Sequence, residues 1–186
     1  MTVIDLQIPG YVAGTWVIDP VHSHVGFVIK HMMVSKVRGH FGTFTGEITT
    51  APNPLGSRVT ASIDATSIDT NNSMRDDHIR SADFFDVPNH PTFEFVSTGV
   101  RFEGGEFFID GDLTIRGVTR PVSLAAETPE FGPTPEGGTK AGFSATTEIK
   151  RADFGIDYNG PIPGGGTIIA DKVQIVLEIE ADLQPA

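Results

Sequence analysis

Apolar and polar residues alternate with a period of two along most of this chain. The run from Val173 to Leu183 shows it most clearly. Val173, Ile175, Leu177, Ile179, Ala181 and Leu183 are apolar, and Gln174, Glu178, Glu180 and Asp182 stand between them, with Val176 the one apolar even position. A helix turns every 3.6 residues and would scatter that stripe, whereas a strand keeps it on one face. The same alternation predicts seven further strands. The first leads from Trp16–Ile18 into Ser23, Val25, Phe27, Ile29 and His31, which share a face. The second runs from Phe41 to Thr49, and its change of phase between Phe41 and Phe44 suggests a bulge near Gly42. Val59, Ala61, Ile63 and Ala65 mark the third, and Phe93 and Phe95 begin the fourth. The fifth carries Phe107, Ile109, Gly111, Leu113 and Ile115 after a hairpin signal at Gly104 and Gly105. Val122, Leu124 and Ala126 form the sixth, and Phe143, Ala145, Thr147 and Ile149 the seventh.

Two connections are long. One runs from about Ile68 to Pro91 and holds a single short helix over Met74–Ser81, capped by Asn72 or Ser73. The other runs from Arg151 to Ala170 through Pro161, Pro163 and the Gly164–Gly166 triplet. Ordered insertions of this kind serve as lids or binding loops. Eight strands, each apolar on one face, bury those faces together in a sandwich or in a closed barrel. Hairpin order along the chain favours an all-β, eight-stranded, antiparallel up-and-down barrel. Residues 1–13 read as an N-terminal extension and 14–186 as one domain.

The 186 residues include no cysteine, so a disulfide framework is excluded. The frequent glycines (21) and prolines (13) agree with many turns. A net charge of -11 repels phosphate backbones, which argues against nucleic acid as a partner and against adsorption through a basic patch. No apolar stretch is long enough to span a bilayer as a helix, and no signal-peptide pattern is visible at Met1–Pro9, so a cytoplasmic location and no stable membrane insertion are expected.

The inward positions mix bulky Phe27, Phe93, Phe95, Phe107 and Phe143 with small Ser23, Gly46, Ala61, Ala65, Gly111 and Ala145. An eight-stranded barrel is just wide enough to be filled by side chains or to hold one ligand. Two readings follow: large and small residues interdigitate, or the small ones leave a cavity suited to a long apolar chain.

Few polar residues suggest chemistry. His22 and His24 lie on one face of a strand, with His31 at an odd spacing and so on the other. Two histidines and a third ligand would hold zinc for a hydrolase, but no third ligand is apparent. The plainer expectation is a hydrogen bond from His22 to backbone or to a carboxylate such as Asp19. Asp77, His78, Arg80 and Asp83 read as a solvated helix with a structural ion pair, since nothing supplies a nucleophile or oxyanion site. Phe84 and Phe85 point in different directions, one into the core and one toward a ligand or both as anchors of the loop. Arg151 and Asp153 pair with each other or with a polar head group, and Phe154 closes the cavity.

Several stretches together resemble one known family. They are WVIDPVHSHVGFVIKHM from Trp16 to Met32, VRGHFGTFTG from Val37 to Gly46, DHIRSADFFDV from Asp77 to Val87 and PTFEF from Pro91 to Phe95. GDLTIRGVTRPV from Gly111 to Val122, Gly142–Phe143 and RADFG from Arg151 to Gly155 complete the set. In this order and over roughly residues 14–183, the chain is similar to the YceI-like family. Many of its members look exported, whereas this chain shows no leader. The resemblance implies a lipocalin-like barrel that binds, sequesters or transports a polyisoprenoid, an isoprenoid quinone or a related long lipid, without enzymatic activity and with a homodimer as one possible assembly. No other cofactor and no metal are implied. The apolar lining is then expected from Phe27, Ile29, Phe41 and Phe44 on the first strands, from Phe84, Phe85, Phe93 and Phe95, and from Leu113, Phe143 and Phe154. His31, Arg151 and Asp153 are expected at the head group or mouth. A metal-dependent hydrolase using His22 and His24, and a packed-barrel interaction scaffold, are the competing readings.

Overall fold

A computed structural model describes residues 5–186. Its strands form eight long staves that meander up and down and close on themselves. The first stave is β1 (Gly14–Ile18) continued by β2 (His24–His31), and the second is β3 (Ser35–Phe41) continued by β4 (Phe44–Thr50). The third is β5 (Arg58–Asp64) with the two-residue β6 (Ile68–Asp69). Then come β7 (Thr92–Glu103) and β8 (Glu106–Ile115), and a sixth stave of β9 (Val118–Ala126) and β10 (Glu130–Pro133). The last two are β11 (Thr139–Lys150) and β12 (Ile169–Leu183). Every neighbouring pair is antiparallel, and β12 closes the ring by pairing with β11 on one side and with β1 and β2 on the other.

The expected strands are present but longer. The second begins at Ser35, not Phe41, because Ser35–His40 pair with β2 although their polar side chains hide the alternation. The phase change at Phe41 and Phe44 is a break in the ladder at Gly42 and Thr43, whose amides both turn to Ser67. The break lets β3 pair β6 while β4 pairs β5, and both phenylalanines still point inward.

A second break lies between β1 and β2, where Pro20 lacks an amide donor. Ser23 bridges it: its hydroxyl donates to the Glu180 carbonyl at 3.1 Å and accepts from the Glu180 amide at 2.9 Å. One side chain thus replaces a missing ladder residue. Next to it, Lys140 Nζ reaches Asp19 (2.8 Å), Glu180 (3.1 Å) and Asp182 (3.3 Å). Asp19 also receives His22 Nδ1 at 2.7 Å, the carboxylate partner that the sequence suggests. The hydrogen bonds from Lys140 and then His22 hold the Asp19 carboxyl well below the usual carboxylate range, and Asp19 in turn pushes the Lys140 amine up.

Antiparallel winding sends the loops alternately to two ends. The base carries 51–57, 104–105 and 134–138. The mouth carries the turn at 32–34, the segment 70–91, the turn at 116–117 and the segment 151–168. Both long insertions therefore meet at the mouth. The base is sealed. Trp16 is buried, donates from Nε1 to Thr50 Oγ1 at 2.8 Å and packs edge-on against Phe131. Over its described part, the N-terminal extension packs on the barrel: Ile8 lies against the core, and Tyr11 donates to the Ala51 carbonyl at 2.6 Å. Residues 1–4 of that segment lie outside the described residues.

Some of the small inward residues serve packing. A Cβ at Gly111 would collide with the Phe95 ring, and one at Gly46 with Ile18. Bare glycine backbone gives those large side chains a seat.

Candidate ligand cavity

The interior is not filled. A cavity of about 480 Å³ runs from the mouth down the barrel. Its wall alternates by stave. Phe27, Ile29 and His31 come from β2, Phe44 and Ile48 from β4, Phe93 and Phe95 from β7, and Ile175, Leu177 and Ile179 from β12. Two-residue periodicity explains this: each stave turns one set of alternate side chains inward, and on these staves that set is hydrocarbon apart from His31 at the mouth. A smaller chamber of about 90 Å³ lies toward the base, under Tyr11, Trp16, Phe107 and Phe131. Ile48, Val59, Ile109 and Phe143 border both spaces and form a septum between them.

The mouth is roofed by the two insertions. Asn72 caps α1 (Ser73–Arg80) by accepting from the Arg75 amide at 3.0 Å. Arg75 in turn donates to the Thr70 hydroxyl (2.8 Å) and carbonyl (2.7 Å), and buried Asp76 accepts from the Thr70 amide. This pins the helix start to the end of β6. Arg80 bonds Asp77 at 2.9 Å, the structural ion pair expected of this helix, and His78 Nε2 shares a hydrogen bond with Asp83 at 2.8 Å.

Phe84 and Phe85 both border the cavity, in two aromatic groups. Phe85 packs on Phe93 (4.9 Å between ring centres) and Phe41 (6.1 Å) at the top of the wall. Phe84 joins His78 (5.0 Å) and Tyr158 (5.2 Å), and His78 and Tyr158 also meet at 5.0 Å. That three-ring group is where one lid touches the other.

Arg151 organises the second lid. It is buried, and its guanidinium donates to four carbonyls: Ala170 (2.9 Å), Ile156 (3.1 Å), Tyr158 (2.8 Å) and Ile169 (3.3 Å). Burial lowers its pKa, with Asp171 and Asp157 opposing. The fork ties both ends of the 156–169 loop to one point. The pairing of Arg151 with Asp153 suggested by the sequence does not form, because those donors are taken by backbone. Asp153 is exposed and off the cavity wall, and its carbonyl accepts from Arg120 at 3.0 Å. Phe154 is buried against the cavity.

The structure thus places all eleven residues expected in the apolar lining, Phe27 through Phe154, around one space, together with His31 and Arg151 at its mouth. Sequence reasoning missed Lys30, Arg75, His78 and Tyr158 among the wall residues. Arg75 and His78 were legible only as a solvated helix face. Tyr158 sits in a Gly- and Pro-rich stretch without periodicity.

The zinc arrangement of His22 and His24 is not assembled. Asp19, His22 and Glu180 do bring ligand atoms within 4.8 Å of one another, but His24 is not among them. It stacks instead on His40 at 5.7 Å. The cation at the cluster is Lys140.

A closed eight-stranded antiparallel barrel with a roofed apolar cavity defines a lipocalin-like protein. The YceI-like domain model matches residues 16–181, and the chain belongs to that family. Protein YceI of Escherichia coli O157:H7 is 40% identical over 161 residues, 86% of this chain and 81% of that one. The crystal structure of a Campylobacter jejuni YCEI protein superposes with a TM-score of 0.71 at 28% identity, over 84% of this chain and 91% of the other. A polyisoprenoid binding domain from Saccharophagus degradans shares the fold, with a TM-score of 0.65 at 14% identity over 93% of this chain and all (100%) of that one.

Proposed function

We propose that this protein holds one long-chain apolar lipid, a polyisoprenoid or an isoprenoid quinone, inside the barrel and sequesters or carries it. The observation that carries this reading is the cavity of about 480 Å³, walled largely by hydrocarbon, with its charged and imidazole groups at the mouth. Such a space suits a chain that gains about 0.8 kcal/mol for each methylene removed from water. The likeness to a polyisoprenoid binding domain supports it. At about 30 Å³ per water-sized group, the cavity accommodates roughly sixteen heavy atoms, a prenyl tail of about three five-carbon units. Lys30, His31, Arg75 and His78 at the mouth suit a polar head such as a quinone carbonyl. No step of the reading requires a nucleophile or a metal.

Native mass spectrometry of the purified full chain tests it. A hydrophobic adduct removable by organic solvent is expected, and the stripped protein should take up a farnesyl-chain quinone at one per barrel. A protein that carries nothing and takes up no prenyl chain would refute the reading.

A further inference from the structure

The large apolar side chains that remain exposed gather at the mouth. Met33 (62% exposed), Val34 (86%) and Met32 occupy the tip of the β2–β3 hairpin. Tyr158 and Ile168 in the second lid and Met74 (82%) on α1 continue the rim. The hairpin tip and the second lid are adjacent: the Met32 amide donates to the Ile168 carbonyl at 2.7 Å. Among the described residues, the other exposed large apolar side chains, Val12, Val17, Val21 and Val96, are valines on the wall and base. Single exposed valines are ordinary on a surface, whereas a contiguous apolar rim around a cavity entrance marks a site of contact.

The backbone of the tip gives a second, independent observation. Met32 and Met33 both have positive φ (51° and 63°). Consecutive left-handed residues in a tight hairpin favour Asn and Gly, because a Cβ is strained there. Two bulky methionines in those positions disfavour the turn and gain no burial in return. Strain of this kind collects at functional positions.

Charge is asymmetric along the same axis. Of the 13 lysines and arginines, only Arg58, Arg101 and Lys140 lie in the base half of the barrel. Glu103, Glu106, Glu127, Glu130 and Glu136 sit on the base strands and loops; at the mouth Lys30, Lys36, Lys150 and Lys172 stand among Asp77, Asp83, Asp153, Asp157 and Asp171, so that end is nearly balanced in charge while the base is strongly acidic. Near an anionic surface the base is repelled and the mouth turns inward.

We infer that the mouth rim, led by Met32, Met33 and Val34, docks reversibly on a phospholipid bilayer surface, so that the cavity opens directly onto the membrane. The methionines and Val34 enter the headgroup boundary, and the flanking lysines meet the phosphates. Docking goes beyond the lipid-binding reading and relies on it only for what would pass through the mouth.

Flotation of the full chain with vesicles of phosphatidylcholine tests it. The double variant Met32→Asn with Met33→Gly places turn-compatible residues at the tip, so its melting temperature should equal or exceed that of the parent protein. Its partitioning should fall at least tenfold. Val21→Ser, at an exposed valine (82%) away from the mouth, should leave partitioning unchanged. The inference is overturned if the parent protein does not float, if the Asn-Gly variant floats equally, or if Val21→Ser weakens flotation as much. Self-association that the Asn-Gly variant abolishes, without flotation, assigns the rim to a second copy and also overturns it. Flotation needs no resident lipid, so an absent adduct with intact flotation would count against the binding reading alone.

Discussion

Replacing Phe143 with alanine removes the largest side chain of the septum between the two chambers. Phe143 stands on β11 opposite Ile179, and it borders both the 480 Å³ cavity and the 90 Å³ chamber. In a filled core a Phe→Ala change costs about 3–5 kcal/mol. Here two faces of the ring already adjoin empty space and lack packing partners on those sides, so the expected loss is about 2–3 kcal/mol, read as a shift in the urea midpoint at unchanged m-value. The gain is length. At about 30 Å³ per water-sized group the smaller chamber adds room for roughly three carbons, and the deleted ring vacates six more. The joined space is then longer by close to two five-carbon units. Native mass spectrometry of the lipid bound by each protein, after exposure to an equal mixture of prenyl quinones of increasing length, should show the variant's preference displaced toward longer tails by one or two units. An unchanged length distribution, with the variant folded, would refute the view that this septum ends the ligand cavity.

Two further outcomes follow from the same contacts. Arg151→Met leaves four carbonyls without their donor, which should destabilise the protein by about 2–4 kcal/mol and expose the 156–168 segment to limited proteolysis; Arg151→Lys should not rescue it, since a point charge cannot serve the whole fork. Lys140→Met removes the partner that lowers the Asp19 pKa and whose own pKa is raised. A lowered carboxyl stabilises above its unfolded value near 4 and loses this as pH falls, while a raised amine stabilises below its unfolded value near 10 and loses this as pH rises. The stability difference from the parent protein should therefore be widest between about pH 5 and 9 and shrink at both extremes; denaturation midpoints that differ equally at every pH would contradict the ion-pair account.

Read alone, the chain determined its staves, because a strand's two faces are written locally in every second residue. Phe27 and Ile29, Phe93 and Phe95, and Ile175 through Ile179 needed no long-range information to be assigned inward. Asn72 and the helix after it were legible for the same reason: a cap acts within three residues. Tertiary structure alone decided whether the interior was full, since a cavity is the difference between the ring's width and the summed side chains of eight distant segments. Gly111 yields its space to Phe95, but nothing similar fills the volume above Phe143. The partners of Arg151 likewise depended on where the 156–169 loop returned, so a guanidinium that local spacing matched to Asp153 is spent on carbonyls up to Ala170. Met33 and Val34 carried no signal in the sequence, where they fell between two strands. Their meaning as a rim arose when antiparallel winding brought that turn, α1 and the second lid to the same end of the barrel.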